Sequence, residues 1–319
     1  MELYHAPRFR STRVIILYKE LLRAYSSQTN TDELADQDKN GAEGNVETIL
    51  PTLRVHTFHD TESFRSNKPD WYLKMNPNGK VPYFRDFLPS TRQQKSDNEN
   101  AKGTGSIIFT DLSGDSETKI PKKYQIVEIF ESMAICTYLL NKYDIDHKLL
   151  FKSDPRYEAK YLQMSYFASG TIDNLTAMSS PIQRVVTKYT GETTPGKNTD
   201  NMQLNEKAFV EVVGPIMDNL LHSGESSSQS PYLCGSQEFG AIDAILAYNM
   251  VALHKRKGWL KLYCTMDVKK SEEYIGCMKN TEITRYTLLE YYKSKIATRK
   301  SVQEAFDLTE DGLLEVINY

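Results

Sequence analysis

The chain has 319 residues, of which 39% are hydrophobic and 25% charged, so it can build a sizeable core and is not globally disordered. Its 39 basic and 42 acidic residues leave a net charge of −3, which gives no support to a role on nucleic acid or at a membrane surface. No apolar run reaches the roughly 18 residues that span a bilayer, and the first residues lack the apolar segment of a secretory signal. The 4 cysteines have no C-x-x-C spacing, and the 6 histidines are not spaced as metal ligands are, so a zinc site is not expected. The scattered cysteines also argue against a disulfide scaffold and favour a reducing, cytoplasmic location.

The beginning of the chain alternates between strand and helix patterns. Residues 2–5 predict a short strand, and the run from Ser11 has apolar residues at helical spacing, with Ser11 at the N-cap position. Strands are predicted at 53–58 and 81–84, with a short helix through 71–75 between them. A strand at 124–129 and a helix at 131–140 complete this part.

Two polar stretches interrupt it, near 26–48 and 89–123. They predict solvated insertions, because they contain few large apolar residues. The second has an apolar centre at 107–109, which predicts an extra strand inside a long hairpin excursion.

From residue 144 onward the strand patterns fade and long helical patterns follow, at 155–188, 204–222, 241–257 and 282–307. Segregated blocks of this kind predict an α/β domain over 1–143 and an all-α domain over 144–319.

Two short stretches carry residue types suited to binding a ligand. Val81-Pro82 opens a strand, and an X-Pro bond is the one peptide bond that is easily held cis; an ordinary trans proline at an edge strand is the alternative. Glu131-Ser132 stands at the predicted junction of a strand and a helix, where the free N–H groups of the helix can bind a carboxylate. Ser132 adds a hydroxyl donor for the same carboxylate. The carboxylate of Glu131 can bind an ammonium group. A simple helix cap is the alternative there.

Several segments in the right order resemble a cytosolic glutathione transferase. They are the opening LYHAPRFRSTRVIILYKEL, WYLKMNPNGKVPYF, FESMAICTYLLNKY and PYLCGSQEFGAIDAILAY, with RKSVQEAF as a fainter echo. The resemblance implies a thioredoxin-like amino-terminal domain, an all-helical carboxy-terminal domain, glutathione as cosubstrate without a metal, and a homodimer.

The resemblance also implies roles for individual residues. The backbone of Val81, ahead of a cis Pro82, would pair with the cysteinyl part of glutathione, and Glu131-Ser132 would bind its γ-glutamyl end. Arg10 and Lys80 are basic candidates for its glycine carboxylate.

The residue that activates the thiol departs from the family pattern. Many members place a serine or cysteine two positions after the first-strand proline, but here that position is Phe9. Ser11 and the first-strand Tyr4 are the alternatives, together with a site that has no side-chain donor. Cysteine-type chemistry is disfavoured because no cysteine precedes Cys136.

The resemblance implies an enzyme of detoxification that conjugates glutathione to an apolar electrophile. A non-catalytic ligand-binding or interaction protein and a glutathione-dependent isomerase are the alternatives. Asp243, three residues after Gly240, is expected to cap a central helix and so to serve folding and not catalysis.

Overall fold

A computed structural model of the chain describes residues 1–26, 50–89, 107–111, 124–176, 205–221, 232–265 and 287–316. The two predicted insertions, apart from their ends and the strand at 107–111, and the predicted helical residues 177–188 lie outside these ranges. The chain divides into two units, Met1–Phe151 and Lys152–Tyr319.

The first unit contains strands and helices in alternation. They are β1 (Glu2–His5), α1 (Ser11–Ser26), β2 (Leu53–Thr57), α2 (Thr61–Ser66), α3 (Asp70–Met75), β3 (Tyr83–Pro89), β4 (Ile107–Asp111), β5 (Tyr124–Phe130) and α4 (Ser132–Tyr143). The predicted elements are all present, and α2 is an additional helix whose single buried side chain, Phe64, gives too little periodicity to predict it.

The sheet has the strand order β4-β2-β1-β3-β5. β1 and β2 are parallel, as are β2 and β4, whereas β3 is antiparallel to both β1 and β5. The extra strand predicted at 107–109 is present and, as predicted, lies within the long connection of the β3–β5 hairpin. It pairs with β2 at the opposite edge of the sheet, a pairing that the sequence did not predict. Strand content can be predicted from local sequence, but pairing between distant segments cannot.

A buried carboxylate joins α4 to β3. Asp86 accepts hydrogen bonds from the hydroxyls of Tyr138 and Tyr143, both at 2.8 Å, and from Nζ of Lys142 at 2.6 Å. Burial by itself would raise the pKa of Asp86, but the Lys142 ammonium and the two hydroxyls outweigh it and hold that pKa below its ordinary value. The charge is therefore retained in the interior because three donors surround it.

The first unit extends beyond the predicted boundary at residue 143. Asp144 follows α4 and accepts hydrogen bonds from the backbone N–H groups of residues 148–150 and from the hydroxyl of Tyr25 on α1. One carboxylate thus fixes the turn against α1, so the turn belongs to the first unit.

The second unit is helical throughout its described residues. Its helices are α5 (Pro155–Phe167), α6 (Asp173–Leu175), α7 (Gly214–Leu221), α8 (Ala241–Lys257), α9 (Trp259–Thr265), α10 (Leu288–Tyr291), α11 (Lys300–Phe306) and α12 (Glu310–Leu314), with π-helical turns at Ala168–Ile172, Phe209–Val213 and Tyr292–Ile296 and a 3₁₀ turn at Leu233–Gly235. The helix predicted at 241–257 is present with those bounds. Its residues 241–255 are all buried, including the polar Asp243, Asn249, His254 and Lys255.

Candidate functional site

Three segments leave the sheet at the same end. Tyr4 of β1 lies opposite Tyr83 of β3, and Tyr83 lies opposite Phe130 of β5. The residues just after β1, just before β3 and just after β5 are therefore neighbours. The register thus brings together the loop at 6–10, Val81-Pro82 and Glu131-Ser132, which the sequence predicts as parts of one site.

The peptide bond between Val81 and Pro82 is cis, as predicted. The turn before it is tightly held: the Lys80 carbonyl accepts hydrogen bonds from the Tyr72 hydroxyl and from Nδ2 of Asn76, both at 2.7 Å. Gly79 within this turn has φ +61, in the left-handed region that favours glycine. The Asn-Pro-x-Gly stretch therefore fixes the conformation of the backbone just before Val81.

The start of α4 has an unusual backbone. Glu131 is exposed and has φ 76, a conformation that is costly for a residue other than glycine, and within the described chain its side chain makes no capping hydrogen bond to the helix. In the described part of the chain the Glu131 carboxylate therefore does not cap α4. The structure does not support the simple cap reading for this residue.

Ser132, in contrast, is buried, with 3% of its surface exposed. Its Oγ accepts a hydrogen bond of 2.9 Å from Nη1 of Arg13, a residue of α1 with no exposed surface. Arg13 is not among the residues predicted for the site. The signal available was a single cation inside a run, residues 11–18, that is otherwise free of charge.

The two predicted thiol-activating hydroxyls both lie inside the fold. Ser11 has no exposed surface, and its Oγ lies 2.7 Å from Nδ1 of His5 and also contacts the backbone of Ala6. Tyr4 is 2% exposed, and its hydroxyl donates a long hydrogen bond of 3.9 Å to the sulfur of Met75. Each hydroxyl therefore has a partner inside the first unit.

Tyr4 belongs to an aromatic cluster that covers one face of the sheet. Its ring stacks on His56 at a centroid distance of 4.8 Å and packs against Tyr72 and Tyr83 at 5.7 and 5.8 Å. Phe9, at the position where many family members carry the donor, is partly buried against the same cluster. An aromatic residue there extends the core and supplies no hydrogen bond.

The basic candidates remain accessible. Arg8, which has φ 64, and Lys80 are exposed, and Arg10 is partly exposed. The guanidinium of Arg65 lies 4.9 Å from the ring centroid of Phe9. Accessible cations therefore occur within the loop at 6–10 and just before Val81, which suits an anionic ligand.

Asp243 has the structural surroundings of a folding device. Its carboxylate accepts hydrogen bonds from the backbone N–H groups of Gly240 at 2.8 Å and Leu233 at 3.0 Å, and from the hydroxyl of Tyr291. Burial raises its pKa to about 6, although these hydrogen bonds act in the opposite direction. The contact with Tyr291 could not be predicted, because it comes from a different helix.

In the described ranges, no helix is long and apolar enough to cross a membrane. Within the same ranges, no group of three histidine, cysteine, aspartate or glutamate side chains is arranged to hold a metal ion.

Comparison with known proteins relates the chain to solved structures only. No protein-family profile and no curated protein matches the sequence. A glutathione transferase homologue from Lodderomyces elongisporus, solved with two glutathione molecules per subunit, is 13% identical, with a TM-score of 0.50 over 96% of this chain and 97% of that one. A family member from Pseudomonas fluorescens with two glutathione molecules bound is 15% identical, with a TM-score of 0.50 over 96% and 91% of the two chains. A homologue from Sulfitobacter with bound glutathione is 16% identical, with a TM-score of 0.50 over 96% of each chain.

The chain therefore has the glutathione transferase fold, with a thioredoxin-like amino-terminal unit and an all-helical carboxy-terminal unit. The resemblance inferred from the sequence is confirmed at the level of the fold.

Proposed function

We propose that the chain binds glutathione at the end of the sheet and directs its thiol at the electrophilic carbon of an apolar substrate. The observation that carries this proposal is the register of β1, β3 and β5, which places Val81-Pro82 beside Glu131-Ser132 and the loop at 6–10. These segments offer hydrogen-bonding groups to each part of the tripeptide.

In this proposal the γ-glutamyl end of glutathione binds at the start of α4. The N–H groups of the first helical turn and the hydroxyl of Ser132 donate to the α-carboxylate. The exposed carboxylate of Glu131 binds the ammonium. The backbone of Val81 pairs with the cysteinyl residue, and Arg10 and Lys80 bind the glycine carboxylate.

The thiol must lose its proton to react. A free thiol has a pKa of about 8.5, so lowering that pKa by about 2 units requires roughly 2.7 kcal/mol of preferential thiolate stabilisation. Inside the protein, Oγ of Ser11 contacts Nδ1 of His5 and the Tyr4 hydroxyl donates to the sulfur of Met75, which argues against both as the donor. We therefore propose that the positive end of α1 and the neighbouring cations Arg8 and Arg10 stabilise the thiolate, without a side-chain hydroxyl.

These internal partners of Ser11 and Tyr4 also favour a second candidate function, a glutathione-binding protein that does not catalyse conjugation. Loss of a hydroxyl donor removes one source of thiolate stabilisation but leaves the groups that bind the tripeptide in place. A glutathione-dependent isomerase remains a third reading of the same site.

The test combines a binding and a turnover measurement on the full chain. Calorimetry with glutathione measures binding, and a conjugation assay with an activated aryl halide measures turnover. We expect Glu131→Gln to weaken glutathione binding about tenfold. Glu62→Gln is the matched control, since Glu62 is an exposed glutamate in the first turn of another helix of the same unit.

Each outcome selects one function. Binding with conjugation supports the transferase, and binding without turnover supports the non-catalytic protein. Turnover of an isomerisable enone without consumption of glutathione supports the isomerase. If the wild-type chain binds no glutathione, the proposal is wrong.

The proposal includes a cytosolic homodimer, because the family resemblance implies both properties. Light scattering of the purified chain checks the dimer, and cell fractionation checks the location.

A further inference from the structure

We propose that Arg13 is a positioning residue, which fixes Ser132 as a hydrogen-bond donor to the glutamyl α-carboxylate of glutathione. The inference rests on the proposed function, since it concerns the same site.

The two side chains meet in the interior. Nη1 of Arg13 lies 2.9 Å from Oγ of Ser132, and the bond joins α1 to the first residue of α4. Arg13 has no exposed surface and Ser132 only 3%. Arg13 therefore acts on the site from within the protein and does not reach a ligand directly.

The chemistry of the two groups determines the direction of every bond at Ser132. A guanidinium only donates hydrogen bonds, whereas a hydroxyl has one proton and two acceptor lone pairs. Because Arg13 donates to Oγ, the hydroxyl proton of Ser132 must point elsewhere. A carboxylate placed ahead of the α4 N-terminus only accepts, so it is the complementary ligand for that proton.

The charge of Arg13 adds to this effect. Screening by water is weak in the interior, so a buried guanidinium favours an anion at the helix N-terminus more than an exposed one does. The charge of Arg13 also acts on a residue within α4. Burial raises the pKa of the Cys136 thiol to about 12, and the positive charge of Arg13 acts in the opposite direction. A hydroxyl that accepts from a cation is also a stronger donor.

The competing explanation is that Arg13 merely fastens α1 to α4. The fold contains a matched bond for comparison, because the hydroxyl of Tyr25 on α1 donates to Asp144 just after α4 at 2.9 Å. Tyr25→Phe removes a buried hydrogen bond between the same two parts of the chain, but at the end of α4 away from Ser132.

The experiment measures the preference for a carboxylate over an amide at the glutamyl end of the ligand, and not only the affinity for glutathione. Calorimetry compares glutathione with an analogue whose glutamyl α-carboxylate is converted to an amide, using the wild type, Arg13→Gln, Arg13→Lys, Ser132→Ala and Tyr25→Phe. We expect the wild type to prefer the carboxylate at least tenfold. Arg13→Gln and Ser132→Ala should lose most of this preference, and Arg13→Lys should lose part of it.

Further comparisons separate positioning from fastening. In the Arg13→Gln background, Ser132→Ala should change the preference less than twofold, because the two residues act as one unit. Tyr25→Phe should lower the melting temperature and leave the preference unchanged.

The outcomes distinguish this inference from the function on which it rests. A wild type that binds no glutathione overturns both. A wild type that binds glutathione, with a folded Arg13→Gln that keeps the full preference, overturns only the role of Arg13. Should Arg13→Gln not fold, an undiminished preference in Arg13→Lys or in Ser132→Ala overturns it equally.

Discussion

The hydroxyl oxygen of Ser11 lies 2.7 Å from Nδ1 of His5, and neither residue is more than 4% exposed. The pair joins the end of β1 to the start of α1, at the point where family members commonly place the group that activates the thiol. Burial lowers the pKa of His5 to about 3, with the nearby His59 acting in the same direction, so the ring is neutral at physiological pH. The contact joins the end of β1 to the start of α1 inside the fold.

Ser11→Ala should therefore destabilise the protein without changing glutathione binding. Loss of a buried hydrogen bond at a helix start costs about 1–2 kcal/mol, which calorimetry would detect as a lower melting temperature. Thr12→Val is the matched control. Thr12 is equally buried, and its Oγ1 has no hydrogen-bond partner in the described part of the chain, so this change should be nearly neutral. Normal stability with a raised pKa of bound glutathione would instead make Ser11 the activating residue.

His5 should make stability depend on pH below neutrality. Its folded pKa of about 3 lies below the ordinary value of 6.5, so between these values the unfolded chain binds more protons than the folded one. The contribution of the neutral ring is present above pH 6.5 and is lost as the pH falls toward 3. His5→Asn keeps a hydrogen-bonding group for Ser11 but does not titrate. Urea unfolding at several pH values should show a flatter profile for this variant, and identical slopes would contradict the assignment.

Gly79→Ala should weaken both the fold and the binding of glutathione. At φ +61 an added Cβ would lie 2.8 Å from Cδ of Lys68 and 3.0 Å from Cδ2 of Leu73. The left-handed conformation alone costs a residue other than glycine about 1–2 kcal/mol. This turn positions the backbone of Lys80 and therefore of Val81. A displaced turn should reduce the affinity for glutathione several-fold, which calorimetry would measure.

The control for that variant is Gly170→Ala. Gly170 lies in a helical turn, where an added Cβ would meet nothing within 4 Å. This change should be neutral or slightly stabilising. Equal losses in the two variants would show that the backbone at Gly79 has no special role.

Asp243→Ala should lower the melting temperature without directly affecting glutathione binding. It leaves two buried backbone N–H groups and the Tyr291 hydroxyl without their acceptor, for a cost of about 3 kcal/mol. Tyr291→Phe alone should cost about 1 kcal/mol, and considerably less once Asp243 is absent. Additive losses in the double variant would show that the two side chains are not coupled.

The sequence predicts the individual helices and strands better than it predicts how the strands pair. The helix at 241–257 and the strand at 2–5 have the predicted bounds, because their local apolar patterns are strong. The strand at 107–111 was predicted as a strand but not at the edge beside β2, because that pairing depends on the path of a long connection. The predicted helix at 282–307 is interrupted in its described part near Ala297, since one periodic pattern does not reveal a short break.

Local sequence patterns determined the order of strands and helices and hence the fold class, whereas the segments that meet at the sheet end and the cis bond before Pro82 were expected from the family resemblance. Only the tertiary structure decided which polar groups remain available to a ligand. Ser11 and Ser132 are both serines at helix starts, yet one is bonded to His5 and the other receives a bond from Arg13. A hydroxyl's role depends on the partners that surround it after packing, and those partners come from positions that no local pattern connects.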